Sequence, residues 1–328
     1  MGMRHDLPYR RWMPIVLFLS ILCHGLLAGC RTSTVQQAPS PEIAVTTPST
    51  VPTIAPAATE TPIPTVSPSP TRLPTSKPTK TQGASEMARE VMLTVVYDND
   101  AYTPSLKTAW GFGCFIEGME RTILFDTGGD APTLLRNMRA LEIDPQQVEV
   151  VVLSHIHSDH TGGLEGFLRR NAQVTVWMPA SFPRRFDDLV ARQGANMVRV
   201  REAQPVCEGV YSTGEMGRST VEQGLVLDTD RGVVVITGCA HPGVADMVAR
   251  AHEGVEGELL LVVGGFHLGS ASRQRIESII SRFRALGVQY VGPTHCSGET
   301  AKRLFKEKYG ENYLDVGAGR EICLEDLD

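Results

Sequence analysis

Within the segment Ser154-His155-Ile156-His157-Ser158-Asp159-His160, three imidazoles and a carboxylate fall inside six residues. Imidazole nitrogen and carboxylate oxygen are the donors that divalent transition metals take, and a catalytic site needs them on a rigid element with a position left open. The preceding run, Val148 to Leu153, reads as a buried strand, and Thr161-Gly162-Gly163-Leu164 reads as a turn leading into a short helix. The donors therefore sit where a strand ends, which is where open α/β sheets present their sites. His155 and His157, two apart in extended chain, point to the same side and can grip one metal. Asp159 and His160 lie past the bend and face elsewhere, so one short segment can serve two neighbouring metals.

Three more histidines follow apolar runs: His241 in Gly238-Cys239-Ala240-His241-Pro242-Gly243, His267 in Gly264-Gly265-Phe266-His267-Leu268, and His295 in Pro293-Thr294-His295-Cys296-Ser297-Gly298. The runs Val233 to Thr237, Leu259 to Val263 and Gln289 to Val291 carry the β-branched content of strands. Histidines repeated at strand ends predict one convergent site.

These motifs resemble the metallo-β-lactamase fold superfamily, whose first signature is the H-x-H-x-D-H pattern seen at His155 to His160. Leu124-Phe125-Asp126-Thr127-Gly128-Gly129 resembles that family's aspartate-bearing loop, and His241 and His295 resemble its later histidines. The Gly-Cys-Ala-His-Pro-Gly, Gly-Gly-Phe-His-Leu and His-Cys-Ser-Gly segments, with Glu222-Gln223-Gly224-Leu225 upstream, are similar to the subgroup named after dihydropterin-6-methyl ribofuranosylaminobenzene phosphate synthase. The resemblance covers roughly residues 91 to 322. It implies a four-layer αββα sandwich, with His155, His157 and His241 on one metal and Asp159, His160 and His295 on a second. Many relatives have an aspartate after the penultimate core strand that bridges both metals, but residues 259 to 267 offer none. His267 is the available substitute; it is read alternatively as a ligand of the second metal, a contact to substrate phosphate or carboxylate, or a strand cap.

Divalent ions, one or two per chain and expected to be zinc, with manganese and iron also compatible, turn water into a nucleophile near neutral pH, so no serine or cysteine nucleophile is required. Asp159 is the candidate for positioning that water as well as binding metal. Asp126 is expected to orient a histidine ring by hydrogen bonding, the alternative being a plain turn aspartate. Glu222 reads equally as a surface salt-bridge partner or a residue of the site. Cys239 and Cys296 read as small buried thiols, and His252 as a solvated helix position.

The leader places Arg4, Arg10 and Arg11 before the apolar core Ile15 to Leu22 and ends in Leu27-Ala28-Gly29-Cys30. That is the plan of a secretory signal over residues 1–29, and its ending resembles a bacterial lipobox, which implies lipid attachment to Cys30 and an extracytoplasmic, membrane-anchored protein. Residues 30–85 hold 11 of the 21 prolines, with few large apolar side chains, too few to form a core, so a disordered tether is expected. The remaining residues, 86–328, suffice for one α/β domain. Helices are expected at Thr133 to Leu141, Val244 to His252, Ser272 to Leu286 and Glu299 to Tyr309. The segment from Ala180 to Glu215 is weakly periodic and is expected to form a variable wall over the site.

A net charge of −6 argues against a nucleic-acid partner and leaves a small-molecule substrate. Hydrolysis of an ester, lactone, phosphoester or similar small molecule is the expected activity. A transferase of the subgroup's namesake type and a noncatalytic metal-containing binding protein are the alternatives.

Overall fold

The computed structural model describes residues 90–328. The leader, the lipobox with Cys30 and the whole tether therefore lie outside the described residues. Among those described, no helix is long and apolar enough to cross a membrane.

The chain alternates β-branched runs with amphipathic segments, and the elements follow that alternation. The first half contains strands β1 (Met92–Tyr97), β2 (Gly113–Glu117), β3 (Ile123–Phe125), β4 (Val150–Val152), β5 (Thr175–Pro179) and β6 (Asn196–Val200). Helices α1 (Ala131–Ala140), α2 (Ser158–Thr161), α3 (Leu164–Leu168) and α4 (Arg185–Gln193) are interspersed. The second half contains β7 (Gln204–Cys207), β8 (Val210–Ser212), β9 (Leu225–Thr229), β10 (Gly232–Thr237), β11 (Leu259–Gly265), β12 (Tyr290–Thr294) and β13 (Glu321–Cys323), with α5 (Val244–Gly254), α6 (Arg273–Ala285) and α7 (Glu299–Tyr309).

Seven strands form one sheet in the order β13-β1-β2-β3-β4-β5-β6, and six form the other in the order β12-β11-β10-β9-β8-β7. Strand alternation explains how they stack. In β10, Val234 and Ile236 join Phe125, Val152, Leu225 and Leu227 in a core between the sheets, while Val233 and Val235 face α5, α6 and α7. In β3 and β4, Leu124 and Val151 face α1, α3 and α4. Successive residues thus feed two different cores, as the period of two demands. The result is the expected four-layer αββα sandwich. At the register shift between Val233 and Val234, Leu260 is the extra residue of β11, and both Leu260 and Leu261 enter the core between the sheets.

The helices take their positions from the same logic. In α6, Ser272 caps the Arg275 N–H, and Ile276, Ile279, Ile280 and Phe283 form a buried stripe at helical spacing. Burying each such side chain contributes roughly 1.5–3 kcal/mol. Phe283 and Phe305, from α6 and α7, pack edge-on against Phe266 with ring centroids 5.7 and 5.4 Å away. That triangle pins the chain immediately before His267.

One local expectation needs correcting. The chain is already helical at Ser158–Thr161, so Asp159 and His160 project from a helical first turn and not from a loop ahead of one. The weakly periodic residues 180 to 215 hold α4, β6, β7 and β8 and supply the outer edge strands of both sheets. Their pattern is faint because edge strands are only half covered; β6 is buried on few of its residues.

Candidate metal centre

Each sheet is antiparallel on one side and parallel on the other. The pairs β3-β4, β4-β5 and β5-β6 are parallel in the first sheet, and β10-β11 and β11-β12 in the second. Parallel neighbours end on the same side, so the loops after β3, β4, β10, β11 and β12 converge. Those loops carry Asp126, His155 to His160, Cys239 to His241, His267 and His295.

The donors gather in two principal sets. His155, His157 and His241 place ligand atoms within 4.8 Å of one another, and so do Asp159, His160, Cys239 and His295. His155 Nε2 lies 3.1 Å from His157 Nδ1. Asp159 Oδ2 lies 3.6 Å from His160 Nε2 and 3.4 Å from His295 Nε2. The two sets abut through the rings of His155 and His160, whose centroids are 4.2 Å apart. All six residues that the resemblance implies as ligands are therefore brought together.

A framework of buried acceptors sets the tautomers of His155, His160, His241 and His295. Asp126, wholly buried, accepts from the Ser154 N–H at 2.7 Å, the Ser154 hydroxyl at 2.6 Å and His160 Nδ1 at 2.7 Å. Ser154 Oγ in turn faces His155 Nδ1 at 2.9 Å. With protons on these Nδ1 atoms, the Nε2 lone pairs turn toward the site. Gly238 makes the arrangement possible, since a Cβ there would stand 2.1 Å from Ser154 Oγ and 2.9 Å from Asp126 Oδ2.

Glu222 is no surface residue. Its carboxylate is wholly buried and accepts from the N–H groups of Cys239 and Ala240, both at 2.8 Å, from the His241 N–H at 2.9 Å and from His241 Nδ1 at 2.8 Å. Burial alone would raise its pKa, but those bonds and the neighbouring His155 prevail and pull it down to about 2. Asn99 does the same for the last ligand candidate: its Oδ1 accepts from His295 Nδ1 at 2.7 Å. Neither residue's role shows in local sequence.

Titration follows the crowding. Burial, reinforced by His160, pushes His155 down to about 2, so it stays neutral and available as a donor. Burial works to raise Asp159, but the proximity of His295, whose Nε2 is 3.4 Å away, and of His160 outweighs it and holds the carboxyl well below its ordinary range.

His267 is not grouped with the Asp159, His160 and His295 donors. At the end of β11, Gly264 has φ +120° and a Cβ there would meet the Thr237 carbonyl oxygen at 2.0 Å, so the position admits no side chain. Cys239 joins the Asp159 set, with Sγ 3.2 Å from His160 Nε2. His267 instead joins Cys239 and Cys296 in a third cluster, its ring 4.4 Å from that of His241. Cys239 is buried as expected of a small core thiol, while Cys296 is only partly covered.

Do these residues fit a divalent ion? His295 Nε2 is buried with no hydrogen-bond partner, a cost of about 1–3 kcal/mol that a cation at the Asp159 set would remove. Two nitrogens on one tetrahedral ion, each about 2.0–2.1 Å from it, stand roughly 3.3 Å apart, close to the His155 and His157 spacing. The donors fit.

Comparison with known proteins agrees. The family model "Metallo-beta-lactamase superfamily" matches residues 114–255. The 7,8-dihydropterin-6-methyl-4-(beta-D-ribofuranosyl)-aminobenzene-5'-phosphate synthase of Methanocaldococcus jannaschii is 27% identical, over 70% of this chain and 95% of that protein. A crystal structure of a metal-dependent hydrolase of the beta-lactamase superfamily superposes with a TM-score of 0.59 at 27% identity, covering 71% of this chain and 98% of that one. The metallo-beta-lactamase fold protein YhfI of Bacillus subtilis shares the fold at 15% identity, with a TM-score of 0.56 over 71% of this chain and 99% of its own. With its donor sets at the ends of the parallel strands, the chain carries a domain that matches the metallo-beta-lactamase superfamily over residues 114–255 and resembles that superfamily's fold, which implies divalent-metal binding.

Proposed function

We propose that the protein is a metal-dependent hydrolase acting on an ester, lactone, phosphoester or similar small molecule, with zinc as the ion its donors suit. The observation that carries this reading is the abutment of the two donor sets beside an ionised, partly exposed Asp159, whose side chain is 20% accessible. His155, His157 and His241 would hold one ion, and Asp159, His160 and His295 with Cys239 a second. Divalent ions so held supply Lewis acidity that brings the pKa of water toward about 7 and stabilises charge on attacking and leaving oxygens.

The chain's own residues do the rest. Asp159, kept ionised, accepts a hydrogen bond from the attacking water and fixes its direction. Asp126, Glu222 and Asn99 keep the ring protons of His160, His241 and His295 on Nδ1. Trp110, 61% exposed with its ring 4.8 Å from that of His295, offers a flat apolar wall to the unreactive part of a substrate.

The synthase from Methanocaldococcus jannaschii favours a second reading, transfer to an organic acceptor, because its similarity spans 95% of that protein. Incubating the metal-loaded protein with single esters, lactones and phosphoesters separates the two. Turnover with water alone supports hydrolysis; turnover that requires a second organic substrate supports transfer. The absence of both in metal-replete protein would support the noncatalytic binding reading.

The leader and the Leu27-Ala28-Gly29-Cys30 segment support an exported protein anchored to the cell membrane through Cys30. Cys30→Ala should release it from the membrane fraction, and retention of that variant would count against the anchor.

A further inference from the structure

Three adjacent parallel strands, in the order β12-β11-β10, each end in a loop that contributes one donor to a third cluster, which has one member in common with the Asp159 set. Cys239 follows β10, His267 follows β11 and Cys296 follows β12, and their ligand atoms lie within 4.8 Å of one another. Backbone bonds lace the three loops together. The Gly265 N–H donates to the Gly238 carbonyl at 3.1 Å and the Gly269 N–H to the Cys296 carbonyl at 3.2 Å, and the Phe266 N–H donates to Ser297 Oγ at 3.0 Å. His267 itself sits in the left-handed region with φ 52°, a conformation a histidine keeps only when its surroundings hold it there. Phe266, locked between Phe283 and Phe305, supplies that restraint. The donors are therefore positioned by the backbone before any ligand arrives.

Their chemistry differs from that of the histidine sets. Two sulfurs and one imidazole make a soft donor set, which selects thiophilic cations over magnesium, calcium or manganese. Cys239 is buried, Cys296 partly covered and His267 exposed, so the cluster opens to solvent on the His267 side and leaves room for a fourth ligand. Cys239 Sγ also stands 3.2 Å from His160 Nε2, which makes it the common member of this cluster and the Asp159 set.

We propose that Cys239, His267 and Cys296 form a further cation site for a thiophilic divalent ion, zinc or cadmium in character, sharing Cys239 with the Asp159 set. The sharing rests on the metal reading of that set; the site itself does not. Each thiol that ligates gives up its proton to solvent on binding, so filling the site releases protons with no change of oxidation state.

The test uses the full chain, kept reduced and stripped of metal, titrated with cadmium alone. Bound cadmium is counted by elemental analysis after dialysis, and ligation by sulfur is read from thiolate-to-cadmium absorption in the near ultraviolet. The wild-type chain should bind one more equivalent than Cys296→Ser, with most of the sulfur absorption lost in that variant. His267→Ala should weaken the same equivalent by more than the roughly 10–100-fold typical of an outer-shell partner. Equal stoichiometry and equal absorption in wild type and Cys296→Ser would overturn the proposal. So would sulfur absorption that survives both variants and vanishes only in Cys239→Ser, since Cys239 would then serve the Asp159 set alone. Two equivalents with hydrolytic turnover but no sulfur absorption would overturn this site while leaving the proposed function standing; no metal at all would remove both.

Discussion

Replacing Glu222 with Gln changes one atom in a fully buried position and should cost more than most core truncations. The carboxylate's two oxygens each accept two hydrogen bonds: Oε1 from the N–H groups of Cys239 and Ala240, Oε2 from His241 N–H and Nδ1. A glutamine has a single acceptor oxygen, so its NH2 must face one pair of donors. Bonds to a charged group contribute about 1.5–3 kcal/mol each, and losing two costs about 3–6 kcal/mol. The depressed Glu222 pKa gives a matching size: a fall from 4.5 to about 2 corresponds to about 3 kcal/mol, order of magnitude. Because that pKa is lowered by folding, the stabilisation is fully present above the unfolded value of 4.5 and disappears as pH falls through 2. The variant also threatens the metal. With NH2 in the Oε2 position, His241 Nδ1 must become an acceptor and its proton moves to Nε2, away from the tautomer in which Nε2 is a free donor, at a cost of roughly 10–100-fold in affinity. Urea unfolding of metal-free wild type and Glu222→Gln across the acid range, with zinc affinity from chelator competition, measures both effects. A variant within about 1 kcal/mol of wild type near neutral pH, with unchanged zinc affinity, would refute the assignment of Glu222 as the anchor of the His241 loop.

Asp159→Ala should leave the far-ultraviolet circular dichroism intact while lowering turnover by at least about 100-fold; retained turnover would remove Asp159 from the mechanism. Gly238→Ala should force apart Ser154 and Asp126, given the 2.1 and 2.9 Å approaches of its Cβ, destabilising the fold by about 1–3 kcal/mol and weakening metal binding, as thermal melts and chelator competition would show. Asp98 is buried, and that burial pushes its carboxyl up to about 7 from 3.8. Since its pKa is raised by folding, it is best tolerated below 3.8, and stability is lost as pH rises through 7, by up to about 4 kcal/mol in order of magnitude. Asn, which imitates the protonated acid, should remove that loss, because the Thr294 hydroxyl has a second acceptor in the Val316 carbonyl at 3.2 Å. Unfolding free energies of metal-free Asp98→Asn and wild type should diverge between the acid range and pH above 7, and parallel curves would contradict it.

What could be read from sequence was whatever is contiguous along the chain. The segment from His155 to His160 announces itself because its donors are neighbours in sequence, and α7 (Glu299–Tyr309) matches its expected bounds because a long, cleanly periodic run leaves little choice. Glu222 was ambiguous because its partners lie 17 to 19 residues on, and nothing near it tells a buried acid from a surface one. Asn99 orients His295 across 196 residues, a pairing only the folded topology creates. The assignment of Cys239 was hidden differently: its type was visible, but whether a thiol faces the core or the histidines depends on the curl of the loop after β10. Likewise, only the folded loops show that His267 lies with Cys239 and Cys296 and apart from the Asp159, His160 and His295 donors.

The backbone records the site as clearly as the donors do. Of the five non-glycine residues with positive φ among those described, four are Asp126, Ala240, His267 and His295, at the ends of β3, β10, β11 and β12. The left-handed region is costly for such residues, about 1–3 kcal/mol each, so four together are a burden that packing and hydrogen bonding must offset. The offsets are visible: Asp126 is held by Ser154 and His160, Ala240 by the Glu222 carboxylate, His295 by Asn99, and His267 by the aromatic triangle behind Phe266. A fold that needed only to be stable would place glycine at these positions, as it does at Gly264. Keeping an aspartate and two histidines there forces their side chains inward at a sharp turn where a regular strand would carry them past the centre. The strain is therefore the means by which parallel strands, whose side chains alternate between two cores, aim donors from several loops at one place.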